Sequence, residues 1–229
     1  MGRAPWVRSY LINLIGLLNN SLHCSRKYDG YQSSYFLLSK NDIICIGDLM
    51  KRCFWVNLNN PLYVKYHDEE WGVPSHDDKY LFEMLILESF QAGLSWECIL
   101  NKREAFRKAF DNFDINKIIK YDDNKIEELM NNKDIVRNRR KITATIKNAS
   151  IFKDIIKEYD SFDKYIWKFT DGKVIKNKTD IFNSTSELSD IISKDLYKRG
   201  MRFVGSTIIY SYLQAIGIIN DHELKCNFY

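Results

Sequence analysis

Two pairs of cysteine and histidine residues, one at each end of the main folded region, constrain this sequence most strongly. Cys53 and His67 lie fourteen positions apart, and His222 and Cys226 lie four apart. Neither pair completes a metal site alone, but together they supply the two thiolates and two imidazoles of a tetrahedral zinc site. Protein would fill all four positions, so the predicted ion is structural and joins the start of the core to its end.

The alternative is that these four residues are unrelated, since cysteine is often simply a buried apolar side chain. The chain has 229 residues and five cysteines, an odd and sparse set that does not indicate a disulfide framework. We therefore expect reduced thiols. The two mirrored pairs favour zinc over chance.

Composition narrows the class of protein only slightly. Apolar residues make up 45% of the chain, which is enough for a sizeable core. No apolar run reaches the length of a transmembrane helix, so no membrane partner is expected. The net charge of +4 is compatible with a nucleic-acid partner without being diagnostic of one.

Residues 1–49 differ from the rest of the chain. No acidic residue precedes Asp29, whereas Arg3 and Arg8 are basic and residues 11–18 are mostly apolar. This style is typical of a transit peptide, although an upstream extension before a true start at Met50 is an alternative. We predict a non-core extension over residues 1–49 and one core domain over residues 50–229.

The core has the periodicity of an all-α domain. Leu81, Leu85 and Phe90 recur at helical spacing after Asp77, and alternation of apolar and polar residues is nearly absent. Residues 173–184 read as an irregular loop with at most a brief strand. Helices are predicted to start at Asp77, at Ser95 (running to Phe110), at Asp114, at Asp122, at residue 135, at Phe162, at Ser189 and at Ser206.

A glycine-bearing connection lies between the last two predicted helices. Gly200 and Gly205 flank the apolar Phe203 and Val204, with Arg202 between them. Backbone amides in such a turn, and the start of the next helix, can bind phosphate. The segment resembles a helix–hairpin–helix, an element that binds the DNA backbone, although an ordinary turn between helices often carries glycine as well.

An aromatic set with one carboxylate is the third constellation. Trp55, Tyr66, Trp71 and Trp96 lie close in sequence to Glu88, which sits among apolar neighbours where a lone carboxylate is costly. Aromatic faces attract cations, so such a slot suits a positively charged, alkylated purine flipped out of a duplex. By pattern alone, the alternative of ordinary core aromatics with a capping or surface glutamate is favoured.

These features together resemble a known family, DNA-3-methyladenine glycosylase I of the helix–hairpin–helix superfamily. The similarity covers residues 50–226. The matching segments include MKRCFW at 50–55, YHDEEWGVP at 66–74, QAGLSW at 91–96, KRGMRFVG at 198–205 and NDH at 220–222.

The resemblance implies specific roles for the residues of these motifs. Glu88, the implied catalytic residue, and Tyr66 would recognise the methylated adenine. Trp96 would stack on it, and Trp55 and Trp71 would line the same pocket. The implied zinc ligands are Cys53, His67, His222 and Cys226, and the implied contacts to the DNA backbone are Gly200, Arg202, Gly205 and Ser206.

The implied function is monofunctional hydrolysis of the glycosidic bond of 3-methyladenine in double-stranded DNA, leaving an abasic site. Two alternatives are a DNA-binding module without turnover and a glycosylase for other methylated purines. Nothing in the sequence requires more than a monomer. We expect a cytoplasmic protein in a bacterium, or a nuclear or organellar one in a eukaryote with residues 1–49 as a targeting segment.

Overall fold

The structure, a computed structural model, describes residues 50–229 and, before them, the backbone of three strands. These strands are β1 (His23–Tyr28), β2 (Tyr31–Ser39) and β3 (Asp42–Cys45), which form an antiparallel sheet in that order. These strands are not predicted by the sequence pattern. The apolar patch at residues 11–18 lies outside the described residues, and the expectation of a targeting or spurious extension stays a prediction.

The chain divides into two compact units, Met1–Lys51 and Arg52–Tyr229. The second unit is helical, which confirms the predicted all-α domain. Its elements are α1 (Pro61–Glu69), α2 (Asp78–Gln91), α3 (Trp96–Asn101), α4 (Arg103–Ala109), α5 (Ile115–Ile118), α6 (Asp123–Asn131), α7 (Arg139–Tyr159), α8 (Phe162–Trp167), β4 (Ile175–Lys176), α9 (Glu187–Lys198), α10 (Ser206–Ala215) and β5 (Ile219–Asn220). Across the residues that the structure describes, no helix combines the length and apolar character needed to cross a bilayer.

Short polar side chains start most helices, as the sequence predicted. Asp77 accepts a hydrogen bond from the amide of Lys79, and Ser95 accepts one from the amide of Cys98. Each of these bonds satisfies a helix amide that has no acceptor inside its own helix. Asp114 and Asp122 cap α5 and α6 in the same way.

Several details of the helix prediction were wrong, including the start of α9, which is Glu187 and not Ser189. The helix predicted from Ser95 to Phe110 is two helices, α3 and α4, which meet at Lys102. The long helix begins at Arg139, not at residue 135, because Asn138 is its cap. Gly205, not Ser206, is the N-cap of α10. Helix α1 was not predicted at all.

Helix α2 forms the centre of the core. Every residue from 81 to 90 is buried, and α10, α7 and α8 pack around the helix. A helix buried on all sides places any charged side chain inside the protein. Glu83 and Glu88 are therefore both buried carboxylates, 5% and 2% exposed.

The two buried carboxylates of α2 have opposite surroundings. Glu83 accepts from Arg103 at 2.6 Å and pairs with Arg107 at 2.7 Å. Arg103 also pairs with Glu70 at 2.7 Å, which links α1 to α2 and α4. Glu88 has no such cationic partner among the described residues. Helix α2 therefore carries one buried carboxylate that is paired with arginines and one buried carboxyl group that has no cationic partner.

A two-stranded parallel ladder brings the loop after α8 to the carboxyl terminus. Ile175 pairs with Ile219 and Lys176 pairs with Asn220. This ladder confirms the brief strand expected in residues 173–184. It places the residues that follow β4 beside Asp221 and His222, which follow β5.

Candidate active site and metal cluster

The four predicted metal ligands meet in one buried cluster. The ligand atoms of Cys53, His67, His222 and Cys226 all lie within 4.8 Å of one another. The Cys226 thiol lies 3.5 Å from Nε2 of His67 and 3.5 Å from Nδ1 of His222, and the Cys53 thiol lies 3.5 Å from the same Nδ1. The cluster could therefore hold a single metal ion.

Each histidine of the cluster is oriented by its second ring nitrogen. Nδ1 of His67 lies 2.8 Å from Asp68, whose carboxylate accepts in turn from Arg52 at 2.8 Å and 2.7 Å. Nε2 of His222 lies 3.1 Å from the backbone oxygen of Trp71. Hydrogen bonds of this kind fix the tautomer, so that the nitrogen facing the cluster is free to bind a metal.

Helix α1 explains how Cys53 and His67 meet. Asn60 accepts from the amides of Leu62 and Tyr63, and Pro61 occupies the first turn. This pairing of an N-cap residue with proline is a strong helix start, and it was visible in the sequence. The helix turns Tyr66 and His67 inward, so that adjacent residues serve the cavity and the cluster.

Two tryptophans connect the cluster to the neighbouring cavity. The Trp71 ring lies 4.6 Å from the His222 ring and 4.7 Å from the Trp55 ring, in edge-to-face contacts. Trp55 also contacts the His67 ring at 5.3 Å. Because both indoles line the cavity as well, the cluster fixes one wall of it.

The cavity has a volume of about 240 Å³. Cavities of about 150 Å³ already bind benzene, so a purine ring has room here. All five predicted base-binding and catalytic residues line it. The complete lining is Trp55, Tyr63, Tyr66, Trp71, Glu88, Gln91, Trp96, Phe182, Asn183, Ser211, Gln214 and Asp221.

Glu88 and Asp221 are the two carboxyl groups that line this cavity within residues 50–229, and Glu88 has no cationic partner there. Its Oε2 atom is buried and has no hydrogen-bond partner among the described residues. Burial raises the pKa of Glu88 to about 8, because a charged carboxylate loses its hydration there. An unpaired buried acceptor facing a cavity favours a ligand that brings a donor or a positive charge.

Tyr66 and Trp96 form an aromatic pair beside this carboxyl. Their ring centroids are 5.0 Å apart and their planes are tilted by 48°. The indole nitrogen Nε1 of Trp96 is buried and has no acceptor within residues 50–229. Burial, followed by the nearby Glu88, raises the pKa of the Tyr66 hydroxyl, which therefore stays protonated and able to donate.

Part of the cavity lining is a polar wall that was not predicted, formed by Ser211, Gln214 and Asp221. Asp221 is buried and accepts from Tyr210 at 3.1 Å, from Gln214 at 2.6 Å and from Asn177. Ser211 and Gln214 lie three residues apart on α10, as Glu88 and Gln91 do on α2. That spacing marks one helix face, and it was the available signal for Gln91. The approach of α10 depends on tertiary packing.

The predicted hairpin joins α9 to α10 as residues 199–205. Gly200 has φ +106°, where an added Cβ would lie 3.3 Å from Ile151, so the fold itself requires glycine here. Gly205 has φ −63°, and a Cβ added there would meet nothing within 4 Å among the described residues. Glycine at 205 is therefore not required by the protein's own packing.

The basic side chains near the hairpin are not equally accessible. Arg199 is paired with Glu158 at 2.6 Å and Asp195 at 2.8 Å, so its charge is largely neutralised. Arg202 is exposed, and its guanidinium lies 4.7 Å from the Tyr197 ring. The Ser206 hydroxyl lies 2.8 Å from that of Ser189, whereas its amide is at the open end of α10.

The chain matches a family model and two named relatives over most of its length. The family model described as methyladenine glycosylase matches residues 55–229. DNA-3-methyladenine glycosylase 1 of Escherichia coli is 45% identical over 184 residues, which is 79% of this chain and 97% of that protein. DNA-3-methyladenine glycosylase of Haemophilus influenzae is 40% identical, over 76% of this chain and 96% of that protein.

Solved structures of similar proteins have the same fold. A crystal structure of 3-methyladenine DNA glycosylase I has a TM-score of 0.75 at 42% identity and covers 77% of this chain and 98% of its own. The Staphylococcus aureus enzyme, solved to explain its recognition of 3-methyladenine, has a TM-score of 0.74 at 34% identity over 78% of this chain and 96% of its own. The chain belongs to the methyladenine glycosylase family.

Proposed function

We propose that this protein removes 3-methyladenine from alkylated double-stranded DNA by hydrolysing the glycosidic bond. The observation that carries the proposal is Glu88, a buried carboxyl with an unpaired oxygen in an aromatic cavity of suitable size. Methylation at N3 makes adenine cationic. Such a base gains from both the carboxylate and the aromatic faces, whereas neutral adenine does not.

The positive charge of the base weakens the glycosidic bond, so its hydrolysis needs less catalytic assistance. A positively charged base is a good leaving group, so the enzyme needs no strong general acid. Its tasks are to flip the nucleotide, hold the cation and stabilise an oxocarbenium-like sugar while water adds at C1′. Glu88 and the Tyr66 hydroxyl would bind polar atoms of the base, Trp96 would stack on it, and Trp55 and Trp71 would close the pocket.

The cavity lining supports a monofunctional reaction. A glycosylase that also cuts the strand uses an amine nucleophile, which forms a Schiff base with the sugar. No lysine lines the cavity within residues 50–229. The proposed product is an abasic site in an intact strand.

The hairpin is proposed to hold the DNA backbone. The open amides at the start of α10 provide donors for a phosphate, and the open space around Gly205 lets a phosphate approach the backbone closely. Exposed Arg202 adds positive charge, and Gly200 maintains the turn. Ser206 contributes through its amide, since its hydroxyl already contacts Ser189.

The donor set of the cluster fits zinc. Bonds of about 2.3 Å to sulfur and about 2.0 Å to nitrogen, at a tetrahedral angle, separate the two atoms by about 3.5 Å. Three S···N distances in the cluster are 3.5 Å. When bound, the ion would act as a cross-link between the ends of the core.

We propose that the protein is a monomer and that it is located where its DNA substrate is. That is the cytoplasm of a bacterium, or the nucleus or an organelle of a eukaryote.

Base release from methylated duplex DNA tests the proposal. The full chain would be incubated with the duplex, the free bases identified by mass spectrometry, and the strand examined for breaks. We expect 3-methyladenine and intact strands with abasic sites. Release of another methylated purine would show that the proposed base specificity is wrong. If a folded protein that binds DNA released no base, the result would favour a DNA-binding module without turnover.

A further inference from the structure

A buried lysine joins the hairpin to the helix end that carries the base pocket. Lys141, in the first turn of α7, is 6% exposed. Its ammonium donates to the backbone oxygens of Phe90 at 2.8 Å and Ala92 at 2.7 Å. It also lies 5.9 Å from the centre of the Phe203 ring, within range of a cation–π contact.

The two carbonyls lie where α2 ends, between the pocket residues. Glu88 lies before this turn, Gln91 is the last residue of α2, and Trp96 follows the turn. Carbonyls at the end of a helix have no amide partner inside the helix, and a cation there also complements the helix dipole. Lys141 therefore fixes the backbone that sets the separation of Glu88 from Trp96.

The hairpin also contacts the same helix directly. Phe203 has φ +56°, a left-handed conformation that a non-glycine residue adopts only when its surroundings hold it. Its carbonyl lies 3.0 Å from the Ser89 hydroxyl on α2. Asn148 of α7 bonds both the amide and the carbonyl of Arg202 at 2.9 Å. Residues 202–203 are thus held by the two helices that Lys141 joins.

We propose that Lys141 is a positioning residue that couples DNA binding at the hairpin to base binding at Glu88. The inference rests on the proposed function. Its ammonium touches both sides, through the α2 carbonyls and the Phe203 ring. With this link intact, DNA on the hairpin and a base in the pocket stabilise the same arrangement of α2, α7 and the hairpin, so that each raises the affinity for the other.

Such coupling would matter for the reaction because the flipped nucleotide is held at both places at once. Its phosphate would rest on the hairpin and its base in the cavity. A displacement of about 1 Å between two such sites can slow a reaction about a hundredfold. Loss of the ammonium would also leave two carbonyls without their donor, so the turn after Gln91 would become less well defined.

The test measures the affinity for free 3-methyladenine with and without a duplex that contains an abasic site. For the wild-type protein we expect at least threefold tighter binding of the base when the duplex is present. For Lys141→Met we expect the same affinity under both conditions. A purely structural role would shift both affinities in parallel and leave their ratio unchanged.

Two variants serve as controls. Lys141→Arg keeps the charge and the donors and should retain the wild-type ratio. Arg140→Met removes a charge from the adjacent, exposed position of α7 and should also retain it. No coupling in the wild type, or equal coupling in Lys141→Met, would overturn the inference. Base release by the wild type is measured in parallel, so failure of the proposed function is recognised separately.

Discussion

At the residue scale, Glu88 is a buried group that costs stability. It sits on the same helix as Glu83, yet the structure neutralises only Glu83, with Arg103 and Arg107. An unpaired buried carboxyl is destabilising, and proteins keep such groups where activity requires them. The contrast between the two glutamates is the strongest structural sign of where the site is.

Replacing Glu88 by glutamine should stabilise the protein at alkaline pH. The pKa of Glu88 is about 4.5 unfolded and about 8 folded, so only the unfolded state loses a proton between these values. Stability therefore falls as the pH rises through this window, by at most about 5 kcal/mol. Thermal melts should show Glu88→Gln and wild type alike at pH 4.5, and the variant more stable above pH 8.

Glu83→Gln is the matched control on the same helix. It breaks a buried pair with two arginines, a change that costs about 3–5 kcal/mol. We expect its melting temperature at pH 8.5 to lie below that of the wild type, the opposite of Glu88→Gln. If both variants melted below the wild type at pH 8.5, the view of Glu88 as an unpaired carboxyl would be wrong.

The sequence identified the chemically distinctive residues of the site but not the polar wall. Cysteine, histidine, tryptophan and a glutamate in an apolar run are recognisable by type and spacing. Gln214 and Asp221 are ordinary polar residues in sequence. Only the packing of α10 and the β4–β5 ladder brings them to the cavity.

At the scale of the elements, the hairpin separates a glycine needed for folding from one available for binding. Gly200 needs a positive φ, whereas Gly205 adopts a conformation open to any residue. The sequence predicted both glycines as contacts to DNA. It could not distinguish them, because the difference lies in backbone angles and neighbouring atoms.

The substitution Gly205→Val should weaken DNA binding without unfolding the protein. The valine side chain would occupy the space that a phosphate needs, while the loss of the glycine N-cap costs less than about 1 kcal/mol. We expect at least tenfold weaker binding of duplex DNA, measured by fluorescence anisotropy, and little change in melting temperature.

The substitution Gly200→Ala is the matched comparison for Gly205→Val. The strained φ should lower stability by about 1–2 kcal/mol, while DNA affinity at low temperature should change less than in Gly205→Val. Unchanged DNA affinity in Gly205→Val would argue that the backbone of the DNA lies elsewhere.

Helix boundaries were predicted well where a polar cap preceded an apolar pattern, as at Asp77 and Ser95. Helix α1 was missed because its apolar residues are few and interrupted, so periodicity gave little signal. Its start at Asn60 and Pro61 was a local signal independent of periodicity. The break at Lys102 depends on a change of direction that the continuous apolar pattern does not reveal.

At the scale of the whole molecule, the cluster joins two segments that are distant in sequence. Residues 53 and 67 meet residues 222 and 226, so a metal bound there would close a loop that contains nearly the whole core. The four residues of the cluster and the all-α fold were predictable from the sequence. The sheet at residues 23–45 was not, since its strands carry little alternation.

Removal of the metal should lower the melting temperature. A ligand at a thousandfold excess over its Kd stabilises a protein by about 4 kcal/mol, or about 10 °C for a domain of this size. Zinc content and melting should be measured before and after chelation. Cys226→Ser should lose the zinc, and Cys98→Ser, which changes a cysteine outside the cluster, should keep it. Equal melting temperatures of the zinc-loaded and zinc-free proteins would contradict the proposed metal cross-link between the ends of the core.

The most direct measurement is kcat/KM for 3-methyladenine release from DNA between pH 6 and 9, for the wild type and Glu88→Gln. We expect the wild-type value to rise with pH and to level off above about pH 8, because Glu88 in the substrate-free enzyme is ionised there. A lost charged hydrogen bond is worth about 1.5–3 kcal/mol, so Glu88→Gln should be at least about tenfold slower at pH 8, with no such rise. Equal values for both proteins at every pH would contradict the selection of a cationic base by Glu88.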